Sequence, residues 1–249
     1  MKKFLTVALA GVLAASMLFT GCSKKAESKV PDKLIVGTNA EFPPFEYMND
    51  KKQPEGFDIA MIKEIGKRMD KKVEIKNMEF KSLIGAMESD SINAIIAGMT
   101  KTEKREKAVD FSDSYYTTNQ AIILKKDSKI TKLAQLDGKK IGVQEGTTGD
   151  LISSGDKFGD GKKAKVLVKG AKVKRFKKGV DAVMDLKNGS VDAVVIDELT
   201  ANEFVKKNAK KLKIVIDSAG SEYYCIALTK GNTAYKEEVN KQIKAIKED

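Results

Sequence analysis

From residue 33 onward the chain alternates short β-branched runs with stretches whose apolar residues recur at helical spacing. Leu34-Ile35-Val36 is an uninterrupted apolar run, the pattern of a strand covered on both faces. Across 58–69, Ile59, Ile62, Ile65 and Met69 fall on one stripe, which predicts an amphipathic helix. The same reading places strands at 73–75, 92–97, 121–124, 140–143, 173–176, 193–196, 214–216 and 225–228. Helices are expected at 81–88, 103–108, 180–186, 198–207 and 233–247. Regular alternation of the two periodicities predicts an α/β fold with mostly parallel sheets.

An internal echo divides this fold in two. Ser91-Ile92-Asn93-Ala94-Ile95-Ile96 recurs as Ser190-Val191-Asp192-Ala193-Val194-Val195, each copy after an amphipathic helix. Two similar lobes, each a mostly parallel sheet flanked by helices, are the expectation. Residues 33–117 with 221–249 form the first lobe and 118–220 the second, joined by hinge crossings near 117–119 and 218–221. The Gly- and Lys-rich stretch 155–172 reads as a surface insertion, a small hairpin at most. Its Asp156 and Asp160 lack the ligand spacing of a calcium loop, and its glycines lack the phosphate-loop pattern.

Composition removes much chemistry. The 249 residues include no histidine, which excludes Ser-His-Asp and Cys-His catalysis and histidine-held metals. Two cysteines, Cys22 and Cys225, cannot build a disulfide scaffold or a thiolate cage. The net charge is +11, yet only three of the 46 basic residues are arginine: Arg68, Arg105 and Arg175. Nucleic-acid readers favour the planar arginine fork, so no nucleic-acid partner is expected. A lysine-dominated surface suits solubility and anionic surroundings.

The first 22 residues are a targeting segment. A basic start, Met1-Lys2-Lys3, precedes an apolar run over 4–19, short of the ~20 residues of a membrane-spanning helix. It ends in Thr20-Gly21-Cys22, which resembles a bacterial lipoprotein signal, apart from Phe19 in place of an aliphatic residue. Cleavage there leaves Cys22 to carry lipid and anchor an exported protein to the outer face of the membrane. Residues 23–32 read as a polar tether.

Unusual residues gather just after the expected strands. Gly37-Thr38-Asn39-Ala40-Glu41-Phe42-Pro43-Pro44-Phe45-Glu46 is one such segment, and Gly56-Phe57-Asp58 opens a helix. Ala97-Gly98-Met99-Thr100-Lys101-Thr102-Glu103-Lys104-Arg105 leads into Val109-Asp110-Phe111-Ser112-Asp113. In the second lobe come Gln144-Glu145-Gly146-Thr147-Thr148 and the strand end Asp197. Thr102 is placed to cap a helix with Arg105 in its first turn. A cation is unfavourable there by itself, since the helix dipole prefers anions, but becomes reasonable if Arg105 and the helix end together receive a carboxylate. Gly146-Thr147-Thr148 offers a second anion-binding turn, and Asp197 sits where α/β sheets place ligands.

Together these segments, over about 33–247, resemble the type II periplasmic solute-binding proteins for amino acids. The resemblance implies a free amino acid held between two closing lobes and delivered to an ABC permease, with no cofactor and no catalysis. It implies Arg105, with Gly98, Met99, Thr100, Thr147 and Thr148, for the ligand carboxylate, and Asp197 for its ammonium. Phe42 and Phe80 match positions that sandwich the ligand side chain, and Asn39 stands where binders of basic amino acids often carry an acid. Asparagine offers no charge, so arginine, lysine, glutamine and other polar amino acids all stay open, with Glu41 as a candidate substitute anion. Cys225 replaces a usual glycine and is expected to be a buried free thiol. The chain stops at Asp249 without the Trp-containing final helix of its relatives. A dehydratase of cyclohexadienyl type on the same fold, or a sensory module, is the alternative.

Overall fold

A computed structural model of the chain describes residues 29–155, 168–216 and 221–249. The expected signal segment, most of the tether, most of the insertion expected at 155–172 and most of the crossing expected near 218–221 lie outside the described residues. The chain begins with β1 (Lys33–Thr38) and a small antiparallel ribbon of β2 (Glu41–Phe42), β3 (Glu46–Met48) and β4 (Pro54–Glu55). Then come α1 (Phe57–Arg68), β5 (Lys72–Asn77), α2 (Leu83–Glu88), β6 (Ala94–Ile95), α3 (Glu103–Glu106) and β7 (Val109–Thr118). After β7 the chain enters a second sheet with β8 (Gln120–Lys125), β9 (Lys140–Gln144), α4 (Thr148–Ser154) and β10 (Lys172–Phe176). That sheet continues through α5 (Gly179–Asn188), β11 (Ala193–Asp197), α6 (Glu198–Lys206) and β12 (Leu212–Ile216). The final β13 (Glu222–Thr229) returns to the first sheet, and α7 (Thr233–Glu248) packs against β7.

The two five-stranded sheets share one plan. Their orders are β5-β1-β6-β13-β7 and β10-β9-β11-β8-β12. In each, four strands run in one direction and only the fourth in order, β13 or β8, runs against them. The fourth strand is supplied across the molecule in the first sheet (β13, from the end of the chain) and locally in the second. Parallel strands covered on both faces need continuous apolar runs. Leu34, Val36, Ile141, Val143, Val194 and Val195 are accordingly buried.

Element limits differ from the sequence reading at many ends, and three of the differences lie beside the cleft. The strand expected at 92–97 pairs only over Ala94–Ile95, because the chain turns at Gly98, whose φ is +51°. The helix expected at 81–88 opens with a 3-10 turn over Phe80–Ser82. The helix expected at 103–108 closes at Glu106, where the Ala108 amide bonds to the Arg105 carbonyl and the chain passes into β7. Cys225 is a buried free thiol, pushed up to about 11 by burial. Among the described residues no helix is long and apolar enough to cross a membrane.

Candidate functional site

The carboxyl ends of the parallel strands in the two sheets face each other across one cleft, the position where open α/β sheets bind ligands. A cavity of about 10 Å³ lies there, room for about one water, closed in by side chains of both lobes. Arg105 enters it from α3. Thr102 caps this helix by accepting the Arg105 backbone N–H at 3.2 Å, so the first turn is fixed and the side chain is aimed inward. The guanidinium donates to the carbonyls of Thr100 at 2.5 Å and of Gly146, from the other lobe, at 3.1 Å. It lies 5.3 Å from the centroid of the Phe80 ring. Burial pulls this cation down to about 10, while the Glu222 and Asp197 charges oppose the shift.

Asp197 closes β11 and holds the N-cap position of α6, but its side chain caps nothing. It accepts instead from Gln120 Nε2 at 2.7 Å and from the Tyr224 hydroxyl. Burial and the neighbouring Glu222 raise its carboxyl to about 7 against those bonds and Arg105. A carboxylate so placed is short of positive charge.

A second buried acid, Glu46, borders the same cavity from β3. It is fully buried, and among the described residues no N–H or hydroxyl group donates to either carboxyl oxygen, its one polar neighbour being the Asp58 carboxyl. Beside it Asp58, also fully buried at the start of α1, accepts from the Gly98 amide and the Tyr115 hydroxyl, both at 2.8 Å. Burial, reinforced by Asp58 and Asp197, drives the Glu46 carboxyl well above the ordinary range. Sequence reasoning missed Glu46: its only signal was an acid ending the Phe42-to-Glu46 loop, with nothing local to show its burial.

Most expected ligand residues border the cavity: Asn39, Phe42, Phe80 and Gly98 with Thr100 and Arg105, and Thr147, Thr148 and Asp197 opposite them. Gly98 is needed at its positive φ, since a Cβ there would sit 2.9 Å from the Phe42 ring. Met99 is different. Its side chain is buried in the first lobe's core with Leu83, Ile92 and Phe111, because residues on either side of the turn alternate between cavity and core. Asn39 does not offer a free amide to a ligand. Its Nδ2 donates to the Met78 carbonyl and its Oδ1 accepts from Gln144 of the other lobe, both at 2.8 Å. Glu41 is not the cavity's anion either, for it pairs with Lys178 at 2.6 Å on the rim, where β2 meets the second lobe.

The lobes touch through other groups the sequence did not single out. One oxygen of Glu222 accepts from Thr100 and from Thr148, each at 2.7 Å, tying the two anion-binding turns together. Lys177–Glu79 and Lys81–Glu145 add rim ion pairs at 2.6 and 2.9 Å. Among the described residues no group of three or more His, Cys, Asp or Glu side chains could hold a metal ion.

Comparison with known proteins places this geometry. Residues 34–249 match the profile of the bacterial extracellular solute-binding proteins, family 3. The chain is 34% identical to the arginine-binding extracellular protein ArtP of Bacillus subtilis, over 89% of this chain and 83% of that protein. An ancestral arginine-binding protein, solved bound to arginine, superposes with a TM-score of 0.80 at 41% identity, covering 89% of this chain and 95% of its own. The arginine-, lysine-, histidine-binding protein ArtJ of Geobacillus stearothermophilus gives 0.78 at 36% identity, covering 87% and 90%. With the two-sheet plan, the cleft and these matches in agreement, the chain belongs to the bacterial extracellular solute-binding proteins of family 3.

Proposed function

We propose that this protein is an extracytoplasmic receptor, anchored through lipid on Cys22, that binds a free amino acid with a cationic side chain between its lobes and delivers it to an ABC permease. Arginine is the ligand the cavity suits best. A free arginine carries one carboxylate and two cations, and the cavity offers one buried cation and two underused buried acids. Arg105 receives the carboxylate with the Thr100 and Thr147-Thr148 turns, and Asp197 receives the ammonium. Glu46, the observation that carries the reading, receives the guanidinium, whose planar donors fit a carboxylate in pairs. Phe42 and Phe80 flank the aliphatic stem, and Gly98 gives it room. Relatives named for arginine, for arginine, lysine and histidine, and for glutamine support this class of ligand.

Residues 33–117 with 221–249 move as one body and 118–220 as the other, closing over the ligand about 117–119 and 218–221. The Asn39–Gln144 bond and Glu222 then act as latches between them. The protein is read as a receptor and not a catalyst, and bound arginine is recovered unchanged. The test is a thermal-shift panel of the twenty amino acids plus ornithine, since a ligand of the folded state raises the melting temperature. The largest shift is expected with arginine, then lysine and glutamine. A panel led by an acidic or small apolar amino acid, or one without any shift, overturns the reading.

A further inference from the structure

We propose that Glu46 and Asp58 share one proton in the ligand-free protein and release it when a cationic side chain enters, so that the receptor reads ligand charge by exchanging a proton for it. This rests on the arginine reading above and adds the proton to it.

The geometry leaves the pair little choice. Both side chains are fully buried, and among the described residues no N–H or hydroxyl group donates to three of their four oxygens, Glu46 Oε1 and Oε2 and Asp58 Oδ1. Only Asp58 Oδ2 is supplied, by Gly98 N and Tyr115 Oη. Around them stand the rings of Phe45, Tyr115 and Tyr224, with Phe45 and Tyr224 centroids 5.0 Å apart. The groups that face the pair come from every neighbouring element. Tyr115 on β7 donates a hydroxyl, Tyr224 on β13 spends its own on Asp197, and the turn after β6 contributes one amide. The charges that reach Glu46 are those of Asp58 and Asp197, both negative. Arg105 on α3, the cation of the cavity, is committed to the Thr100 and Gly146 carbonyls and faces Asp197 and Glu222.

Two adjacent carboxylates in such surroundings repel each other and have lost their hydration, so one of them keeps a proton and donates it to the other. A guanidinium changes the balance, because it brings both charge and N–H donors to the bare oxygens. The carboxyl O–H bond then breaks and its proton passes to solvent, while guanidinium N–H bonds to Glu46 replace it. A neutral side chain of the same shape offers donors without charge, and the proton stays.

Citrulline, the uncharged ureido counterpart of arginine, isolates this step. Binding enthalpies at pH 7, measured in buffers of different ionisation enthalpy, give the protons released by each ligand. Protons from Asp197, which meets the ammonium common to both, cancel in the difference. Arginine is expected to release close to one proton more than citrulline, with glutamine behaving as citrulline does. Its affinity relative to that of citrulline is expected to rise by about tenfold per pH unit until the pair is ionised, the sign required when binding releases a proton. In Glu46→Gln the difference disappears and arginine loses its preference over citrulline. An infrared difference spectrum of the unmodified protein provides a readout free of folding effects: a protonated-carboxyl band lost with arginine and kept with citrulline. Equal proton counts for the two ligands, or a difference that survives in Glu46→Gln, overturn the proposal while the arginine reading stands. Absence of arginine binding removes that reading, and the proposal with it.

Discussion

The unit running from α2 into β6 and the one from α5 into β11 use the same construction with different residues. Each helix ends in a left-handed residue, Asp90 at φ +55° in the first lobe and Gly189 at +82° in the second. The following serine N–H bonds back to the helix, Ser91 to the Ala86 carbonyl and Ser190 to the Asp185 carbonyl, both at 2.9 Å. The next polar side chain then clamps the neighbouring parallel strand. Asn93 accepts from Ile35 N at 2.9 Å and donates to the Lys33 carbonyl, and Asp192 accepts from Lys140 N at 2.8 Å. The echo between the two sequences is therefore an echo of hydrogen bonds. Beyond the strands the lobes part. β6 runs into the Gly98 turn and the cation of α3, whereas β11 ends directly in the acid Asp197. Common scaffolding brings the two strand ends together, and divergent ends give them opposite charges, as a zwitterionic ligand requires.

Removing one of those charges is the most direct way to break the comparison. Arg105→Ala is expected to weaken binding of every amino acid by about 2–5 kcal/mol, whatever the side chain, since a buried charge-assisted contact is lost. Titration calorimetry checks this, and unchanged affinity would place the carboxylate elsewhere.

The positive-φ glycines sharpen the comparison next. At Gly189 an added Cβ would meet only the mobile Lys125 Nζ at 3.2 Å, so Gly189→Ala should cost about 1–2 kcal/mol of stability for the left-handed backbone. Gly98→Ala adds a clash with the Phe42 ring to the same backbone strain and should cost about 2–4 kcal/mol. It should also reduce ligand affinity, which Gly189→Ala should not. Denaturant unfolding read beside a binding titration separates the two effects.

The clamps should behave unequally although they are built alike. Asn93 is half-buried, so Asn93→Ala leaves amides unpaired and is expected to cost about 1–3 kcal/mol. Asp192 is exposed, and water replaces it, so Asp192→Ala should stay within about 0.5 kcal/mol. Equal losses would mean that burial does not set the value of the clamp. Smallest of all are the rim pairs. Lys178→Ala removes the Glu41 contact at a site where Lys178 is half exposed, and should weaken ligand binding by at most about 1 kcal/mol. That effect should vanish at high salt, as screening requires.

The parts of the site legible in the sequence share one property: their signal is local. Thr102 and Arg105 are three residues apart, so a cap and a first-turn cation could be read from spacing alone, and Asp197 ends a run that is visibly a strand. Glu46 and Glu41 lie in one loop with the same side chain, and no local rule separates them. Only the arrival of α1 and β7, carrying Asp58 and Tyr115, buries Glu46, while Lys178 from the other lobe draws Glu41 to the rim. Met99 differs in the opposite sense, since a motif places its backbone but not the direction of its side chain, which lies in the core.

By itself the sequence determined what periodicity, turn residues and capping can specify: the alternation of strands and helices, the doubled helix–strand unit and the positions of Arg105 and Asp197 at element ends. Those depend on interactions within a few residues, which survive in any arrangement of the elements. The tertiary structure decided which acid loses its water, which amide becomes a latch, and that Glu222 on β13 joins Thr100 to Thr148. Burial and long-range pairing belong to surfaces formed when distant segments meet. The charge pattern of the cavity follows from them, because the same carboxylate is an ordinary surface group in water and a strong demand for a cation once water is excluded.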